Sequence, residues 1–306
     1  MFVRDIIEKN LFRANASLYY ALRYWRHRRR IPHFKNPSDL SEYLLAAQLK
    51  PDFMRFAPFA DKIKVRDYIR SKGLSDLLPQ IYQIVQDANQ IDFDALPDKF
   101  VLKTNHGCGG HIVCKNKTVF DKKKAVETLN FLVKTTYSIM EPHYTYIEPV
   151  IYAEQLIECK KQKDSLSDYK FMVCNAGEGS AGMKGKNKPV IPCILVVCDR
   201  YIDLKFYVYD TNWNNISERW LKSNHRHQGN VERPENLQKM IEIAGKLGED
   251  FEFVRVDLYD VGDSVYFSEL TFTPAGGYMP YFTDFALREM YRPIKGNLDS
   301  NFFSRK

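Results

Sequence analysis

The stretch RVDLYDVGDSVYFSELTF, residues 255 to 272, constrains the fold more than any other part of the chain. Two apolar runs of period two flank a turn at Gly262, Asp263 and Ser264, the pattern of a β-hairpin with a three-residue, glycine-containing loop. That loop pairs Val261 with Val265, which sets Asp257 opposite Glu269 and Arg255 opposite Thr271. Alternation along each strand then puts all four side chains on one face. Two carboxylates directly opposite each other destabilise a strand pair, so a cation is required between them. Two sources fit. A hard divalent ion such as Mg2+ takes one or two carboxylates and fills its other positions with water and phosphate oxygens, leaving Arg255 to hold an anion on its far side. Alternatively, Arg255 itself neutralises both acids as an ion-pair cluster on an exposed sheet face.

A second segment, FVLKTNHGCGG (100–110), ends an apolar strand on Lys103 and runs into Gly107, Gly109 and Gly110. Glycines let backbone N–H groups approach phosphate oxygens, and a lysine adds a point charge. The segment is not a Walker A sequence. It is not a G-x-G-x-x-G opening a helix either, because the chain continues as a strand. It reads as a glycine-rich hairpin, either an ordinary turn or a flap over phosphates.

The surrounding chain is that of a globular protein of about two lobes: 306 residues, 44% hydrophobic and 27% charged. No run reaches the roughly 18 apolar residues of a membrane span. Arg4, Asp5, Glu8 and Lys9 interrupt any signal-peptide core, so a cytoplasmic location is expected. The six cysteines are scattered without C-x-x-C or zinc spacing and are expected to be reduced and structural. Helices are expected over residues 1–30, over NPSDLSEYLLAAQ with Ser38 or Asp39 at its N-cap, over 61–73 ending at Gly73, over 122–137 capped by Asp121, and from Pro234 to Gly248. Strands are expected on both sides of the glycine-rich turn, at 153–158, 169–175, 190–198 and 204–210, and in the hairpin.

The charge is not spread evenly. Nine of the 45 basic residues but only two of the 38 acidic ones fall within residues 1–35, leaving 36 of each in the rest. The net charge of +7 is therefore local, and it culminates in RYWRHRRR. An N-terminal helix with a solvated basic end accounts for this; so does a surface for anionic membrane lipid or an acidic glycan. No nucleic-acid reading module accompanies the charge, and no nucleic-acid partner is expected.

The order of these parts is more specific than any one of them. ADKIKVRDYIRSKG, LPDKFVLKTNHGCGG, the I-x-P-x-x-x-A-E run IEPVIYAEQL, SDYKFMV, PENLQKMIEIAGKLGEDFEFVRVDLY and YFSELTFTPAGG follow one another over residues 37–277. Together they resemble the ATP-grasp superfamily, and within it the TupA-like branch associated with teichuronopeptide and surface-polysaccharide biosynthesis. The resemblance implies an α+β ATP-grasp fold in which two α+β subdomains clasp a nucleotide, behind a short helical N-terminal extension. The expected division is a basic helical extension over 1–60, a subdomain with the glycine-rich flap over 61–150, and a subdomain with the metal-binding hairpin over 151–306.

The resemblance also implies roles. Lys62 and Lys103 resemble the lysines that contact ATP phosphates, and Gly107, Gly109 and Gly110 the flap above them, with His106 beside it. Glu154 and Leu156 match the hinge that reads the adenine edge, and Asp168 the acid that holds the ribose. Asp257 and Glu269 match the Mg2+ ligands, and Arg255 the residue that steadies the transferred phosphoryl group. Thr271 stands where many relatives carry an asparagine as third metal ligand. Lys184, Lys186, Lys188, Arg200 and SNHRHQG (223–229) could hold a carboxylate or be solvated loop charge, while His143 decorates a turn.

The implied cofactors are ATP and Mg2+. The implied activity is carboxylate–amine ligation through an acyl-phosphate, joining an amino acid or other amine to a uronic-acid-containing polysaccharide or its lipid-linked precursor. The concentrated charge of residues 1–30, which the resemblance does not cover, suits that acidic glycan or peripheral contact at the inner membrane face. A metal-dependent glycosyltransferase of polysaccharide biosynthesis and a catalytically silent glycan- or membrane-binding protein are the rival readings.

Overall fold

Asparagine 15 divides the N-terminal helical segment. Its side chain accepts a hydrogen bond from the Leu18 amide at 2.9 Å and so starts a second helix. The single helix expected there is consequently two, α1 (Phe2–Ala14) and α2 (Ala16–Arg28). α3 (Leu40–Gln48) begins at Asp39, whose carboxylate accepts from the Glu42 amide, while the Glu42 carboxylate accepts from the Ser38 amide and hydroxyl. This reciprocal satisfaction of orphan donors follows from the expected capping sequence.

The computed structural model describes residues 2–107, 109–135, 141–158, 166–175, 189–199 and 203–296. The chain forms two units, one of residues 52–159 and one of residues 1–51 with 160–306. In the first unit, α4 (Ala57–Ala60), α5 (Val65–Ser71), β1 (Ile81–Val85), β2 (Phe100–Thr104), β3 (Ile112–Cys114), α6 (Lys122–Val133) and β4 (Ile151–Gln155) follow in order. The four strands form an antiparallel sheet in the order β1-β4-β2-β3. Asp121 caps α6 through the Lys124 amide, as its sequence predicts. The apolar side of α6 (Ala125, Leu129, Val133) joins Phe100, Leu102, Cys114, Ile151 and Ala153 in one core. Strand β1 carries no strong alternation and is not anticipated by its sequence.

In the second unit, β5 (Asp168–Cys174), β6 (Val190–Cys198), β7 (Lys205–Tyr209), α7 (Ser217–Trp220), α8 (Leu237–Gly248), β8 (Phe253–Asp260), β9 (Val265–Thr271) and α9 (Asp284–Tyr291) follow α1, α2 and α3 among the described residues. The sheet is antiparallel in the order β7-β6-β5-β8-β9. α8 buries Met240, Ile243, Ala244 and Leu247 and approaches β5 so closely that a Cβ on Gly248 would lie 2.3 Å from a Val173 methyl. α3, α9 and Trp220 pack with Met172, Cys193, Leu195 and Val208. Alternation along β5 then places Lys170 and Asp168 on the same face as Met172, so that face passes from apolar core to charged cluster within one strand. Among the described residues, no helix is long and apolar enough to cross a membrane.

Candidate functional site

Asp257 pairs with Glu269, and Arg255 with Thr271, as the alternation requires. The route to that register differs from the expected one. Asp260, not Val261, pairs with Val265, so the loop is one residue longer, and Ser268 is an extra residue on β9 that restores the pairing from Asp257 onward. Such a bulge re-aims the side chains beyond it. Ser268 itself reaches the Tyr259 hydroxyl at 3.4 Å.

The cation between the acids is supplied from within the protein. Arg255 donates from Nε to Asp257 Oδ1 and from one terminal nitrogen to Asp257 Oδ2, both at 2.7 Å. The same terminal nitrogen donates to Glu269 Oε1 at 2.7 Å. Lys170, which stands opposite Asp257 across β5 and β8, donates to Asp257 Oδ2 and lies 3.6 Å from Asp168. The Thr271 hydroxyl donates to Glu269 Oε1 at 3.2 Å. Tyr259 hydrogen-bonds to Asp168. The result is one continuous polar network on a sheet face, the ion-pair arrangement that the sequence left open beside the metal.

Burial sets its electrostatics. Asp257 is 1% exposed; burial pushes its carboxyl up, and Arg255 and Lys170 pull it down. Burial would lower the Arg255 pKa, but Asp257 and Glu269 outweigh it and raise it. Glu269 is the open member, with a quarter of its side chain exposed. The two carboxylates converge on a single cationic nitrogen, so the donor set suits a small hard cation that takes two carboxylates and completes its shell with water or phosphate oxygens. Among the described residues no group of three His, Cys, Asp or Glu side chains does so.

The residues of the 52–159 unit form a group of their own. Lys103, on β2, forms a salt bridge with Glu154 on β4. Lys62 lies in the turn before α5, with its ammonium on the Gly107 carbonyl and its amide on the Asn105 carbonyl. The Asn105 side chain ties this turn to residues 148–150. Gly107, Gly109 and Gly110 all have positive φ, at 74°, 77° and 69°, which L side chains rarely adopt. His106 is buried, with Nε2 against the Thr135 carbonyl at 3.1 Å, and burial lowers its pKa. It therefore fastens the loop to the end of α6. Leu156 lies just past β4, half-buried.

Other expectations resolve differently. His143 is not a turn ornament: it is fully buried against Phe53 and Tyr144. His225 stands edge-on to Phe206 and Tyr281. Lys184, Lys186, Lys188 and Arg200 lie outside the described residues. Lys170 is the site residue that sequence reasoning missed, although alternation from Asp168 puts it on the right face.

A model of the TupA-like ATPgrasp family matches residues 43–291. No curated protein matches the sequence. Among solved structures, D-alanine–D-alanine ligase from Helicobacter pylori is similar at 14% identity and a TM-score of 0.42, over 79% of this chain and 61% of that one. N5-carboxyaminoimidazole ribonucleotide synthetase from Thermus thermophilus is similar at 12% identity and a TM-score of 0.44, over 84% and 60%. D-alanine–D-alanine ligase from Bacillus anthracis, complexed with ATP, is similar at 13% identity and a TM-score of 0.37, over 76% and 55%. The chain thus spans about three-fifths of the length of the first two. ATP-grasp ligases use ATP and Mg2+.

Proposed function

The chain belongs to the TupA-like ATP-grasp family, and on that premise we propose that it is an ATP- and Mg2+-dependent carboxylate–amine ligase. A substrate carboxylate oxygen attacks the γ-phosphorus of ATP and ADP leaves. An amine then attacks the acyl carbon of the resulting acyl-phosphate, and phosphate leaves as the amide forms. Such chemistry needs positioning and charge stabilisation more than a protein nucleophile, which suits a site of lysines, an arginine and carboxylates. The acceptor is an acidic, uronic-acid-containing polysaccharide or its lipid-linked precursor, the amine is an amino acid, and the protein works at the cytoplasmic membrane face.

The observation that carries this reading is the single Arg255 nitrogen held at 2.7 Å by both Asp257 and Glu269. Carboxylates that converge on one cation accept another. Asp257 and Glu269 would hold Mg2+, with Thr271 holding a coordinated water; the ion would supply charge neutralisation for the phosphates. Arg255, released from the acids, would hold the transferred phosphoryl group. Lys62 and Lys103 would bind phosphates, Glu154 and Leu156 would read adenine, Asp168 would hold the ribose, and the loop at Gly107, Gly109 and Gly110 would close over the triphosphate.

One observation favours the catalytically silent reading: both acids already have internal cationic partners. A single assay separates the two. The protein is incubated with ATP, Mg2+, pooled amino acids and an acidic glycan, and ADP and phosphate are measured. A ligase releases both only when acceptor and amine are present. ATP binding without turnover under any acceptor supports the silent reading, and no Mg2+-dependent ATP binding by calorimetry overturns the ligase and leaves the silent glycan- or membrane-binding reading standing.

A further inference from the structure

Helix α2 carries a second surface that the ligase chemistry does not use. Leu18, Leu22 and Trp25 recur at four and three residues and so share one helix face. They are 46%, 46% and 47% exposed, and Ile31 just beyond the helix is 73% exposed. The opposite face, with Tyr20, Tyr24 and Arg28, is buried. The charge around the apolar stripe has one sign. Between residues 7 and 38 the exposed charged residues are Lys9, Arg13, Arg26, Arg29 and Lys35, while the one acid there, Glu8, is tied to Arg23 at 2.7 Å. Arg28 and Arg30 are withdrawn into internal pairs. The Arg29 guanidinium lies 5.2 Å over the Trp25 ring, joining the apolar and basic parts of the face.

We propose that this face docks on an anionic lipid surface, with Leu18, Leu22 and Trp25 in the boundary between headgroups and acyl chains and Arg26 and Arg29 on lipid phosphates. The stripe separates this occupant from the others. An acidic glycan would satisfy the arginines but has no use for the leucines, and a second copy of the chain would set like charges against each other. The proposal rests on the membrane placement given above and is independent of the ligase chemistry.

The test is co-sedimentation of the full chain with phosphatidylcholine vesicles, with and without phosphatidylglycerol, alongside ATP calorimetry. Binding is expected only with phosphatidylglycerol and is weakened by salt. Leu22→Glu with Trp25→Glu, and separately Arg26→Glu with Arg29→Glu, should each reduce it about ten-fold or more, with melting temperature and ATP affinity unchanged. Several outcomes overturn the proposal: no sedimentation of the parent chain, undiminished binding by the Leu22/Trp25 variant, a dimer of the parent that this variant dissolves, or binding to an acidic polysaccharide but not to vesicles. Loss of ATP binding in the parent chain would count against the ligase and leave the vesicle result standing.

Discussion

Arg255 and Arg28 are equally buried, at 9% exposure each, and are neutralised in opposite ways. Arg255 meets carboxylates, Asp257 and Glu269. Arg28 meets the backbone carbonyls of Tyr278, Met279 and Phe282, with the partly exposed Asp284 at 3.1 Å. The pKa shifts follow. For Arg28, burial outweighs Asp284 and the value falls; for Arg255, the two acids outweigh burial and it rises. Carbonyl dipoles arranged around one guanidinium make a staple, here fixing α2 to the segment before α9. Carboxylates carry charge of their own and, when buried, need a cation to stay ionised, so a different cation can satisfy them where a cradle of carbonyls has no such need. Burial alone does not distinguish a fastening from a site; the chemistry of the acceptors does.

The largest effect should come from Asp257→Asn. If the acids around Arg255 hold a functional cation, ATP turnover falls by about 10^3-fold or more, on the order of 4 kcal/mol in the barrier. The fold survives, because Arg255 keeps Glu269. ADP release and thermal melting check both parts, and a variant that unfolds instead would make this cluster a fastening like that of Arg28. Arg28→Met should do the reverse. It leaves carbonyls buried without donors and should cost about 3 kcal/mol in denaturant unfolding, with ATP affinity of the folded protein unchanged. Arg28→Lys should recover little, because an ammonium cannot replace a planar fork.

His143 extends the comparison to a base whose pKa is set by burial, without a charged group opposing it among the described residues. Among the described residues neither ring nitrogen has a hydrogen-bond partner, and burial pushes its pKa down to about 3 from 6.5. The folded state therefore holds it neutral while the unfolded state protonates below pH 6.5. Its stabilising contribution is complete above that value and is lost as pH falls toward 3, at about 1.4 kcal/mol per pH unit. By pH 4 the loss should be roughly 3 kcal/mol. Urea unfolding as a function of pH should show this slope in the parent chain and a shallower one in His143→Leu.

What the sequence makes legible is what neighbours in the chain decide. The Asp39 and Asp121 caps, the strands bounding the glycine turn and the facing acids all follow from spacing of a few residues. Even the hairpin shows the limit: the register at Asp257 is as expected, but the longer loop and the Ser268 bulge compensate each other, and no residue type announces either. The basic run RYWRHRRR is the larger case. It reads as free charge, yet Arg28 and Arg30 are consumed by partners at 278–284 and at Asp39 and Glu42. His143 resembles a surface residue for the same reason, since the Phe53 that covers it lies 90 positions away. Contacts between distant segments leave no periodic trace.

Lys170 offers the finest test of the distinction drawn from Arg255 and Arg28, because it shares Asp257 Oδ2 with Arg255. If the cluster is an exchangeable cation site, Lys170 competes with the metal and also helps keep Asp257 ionised. These two roles have opposite pH signatures. Burial already raises the Asp257 pKa, and removing one of the cations that oppose it raises it further. Metal needs the ionised form, so binding is lost as pH falls through that value, and in Lys170→Met the loss should begin at higher pH. Above that range a competitor is gone, and the magnesium concentration for half-maximal ATP binding should fall by up to about ten-fold, near 1.4 kcal/mol. Titrating Mg2+ into protein with ATP across pH should therefore give two curves that cross. A Lys170 that only fills space gives curves that coincide, and Asp257 would then be held by Arg255 in the way Arg28 is held by its carbonyls.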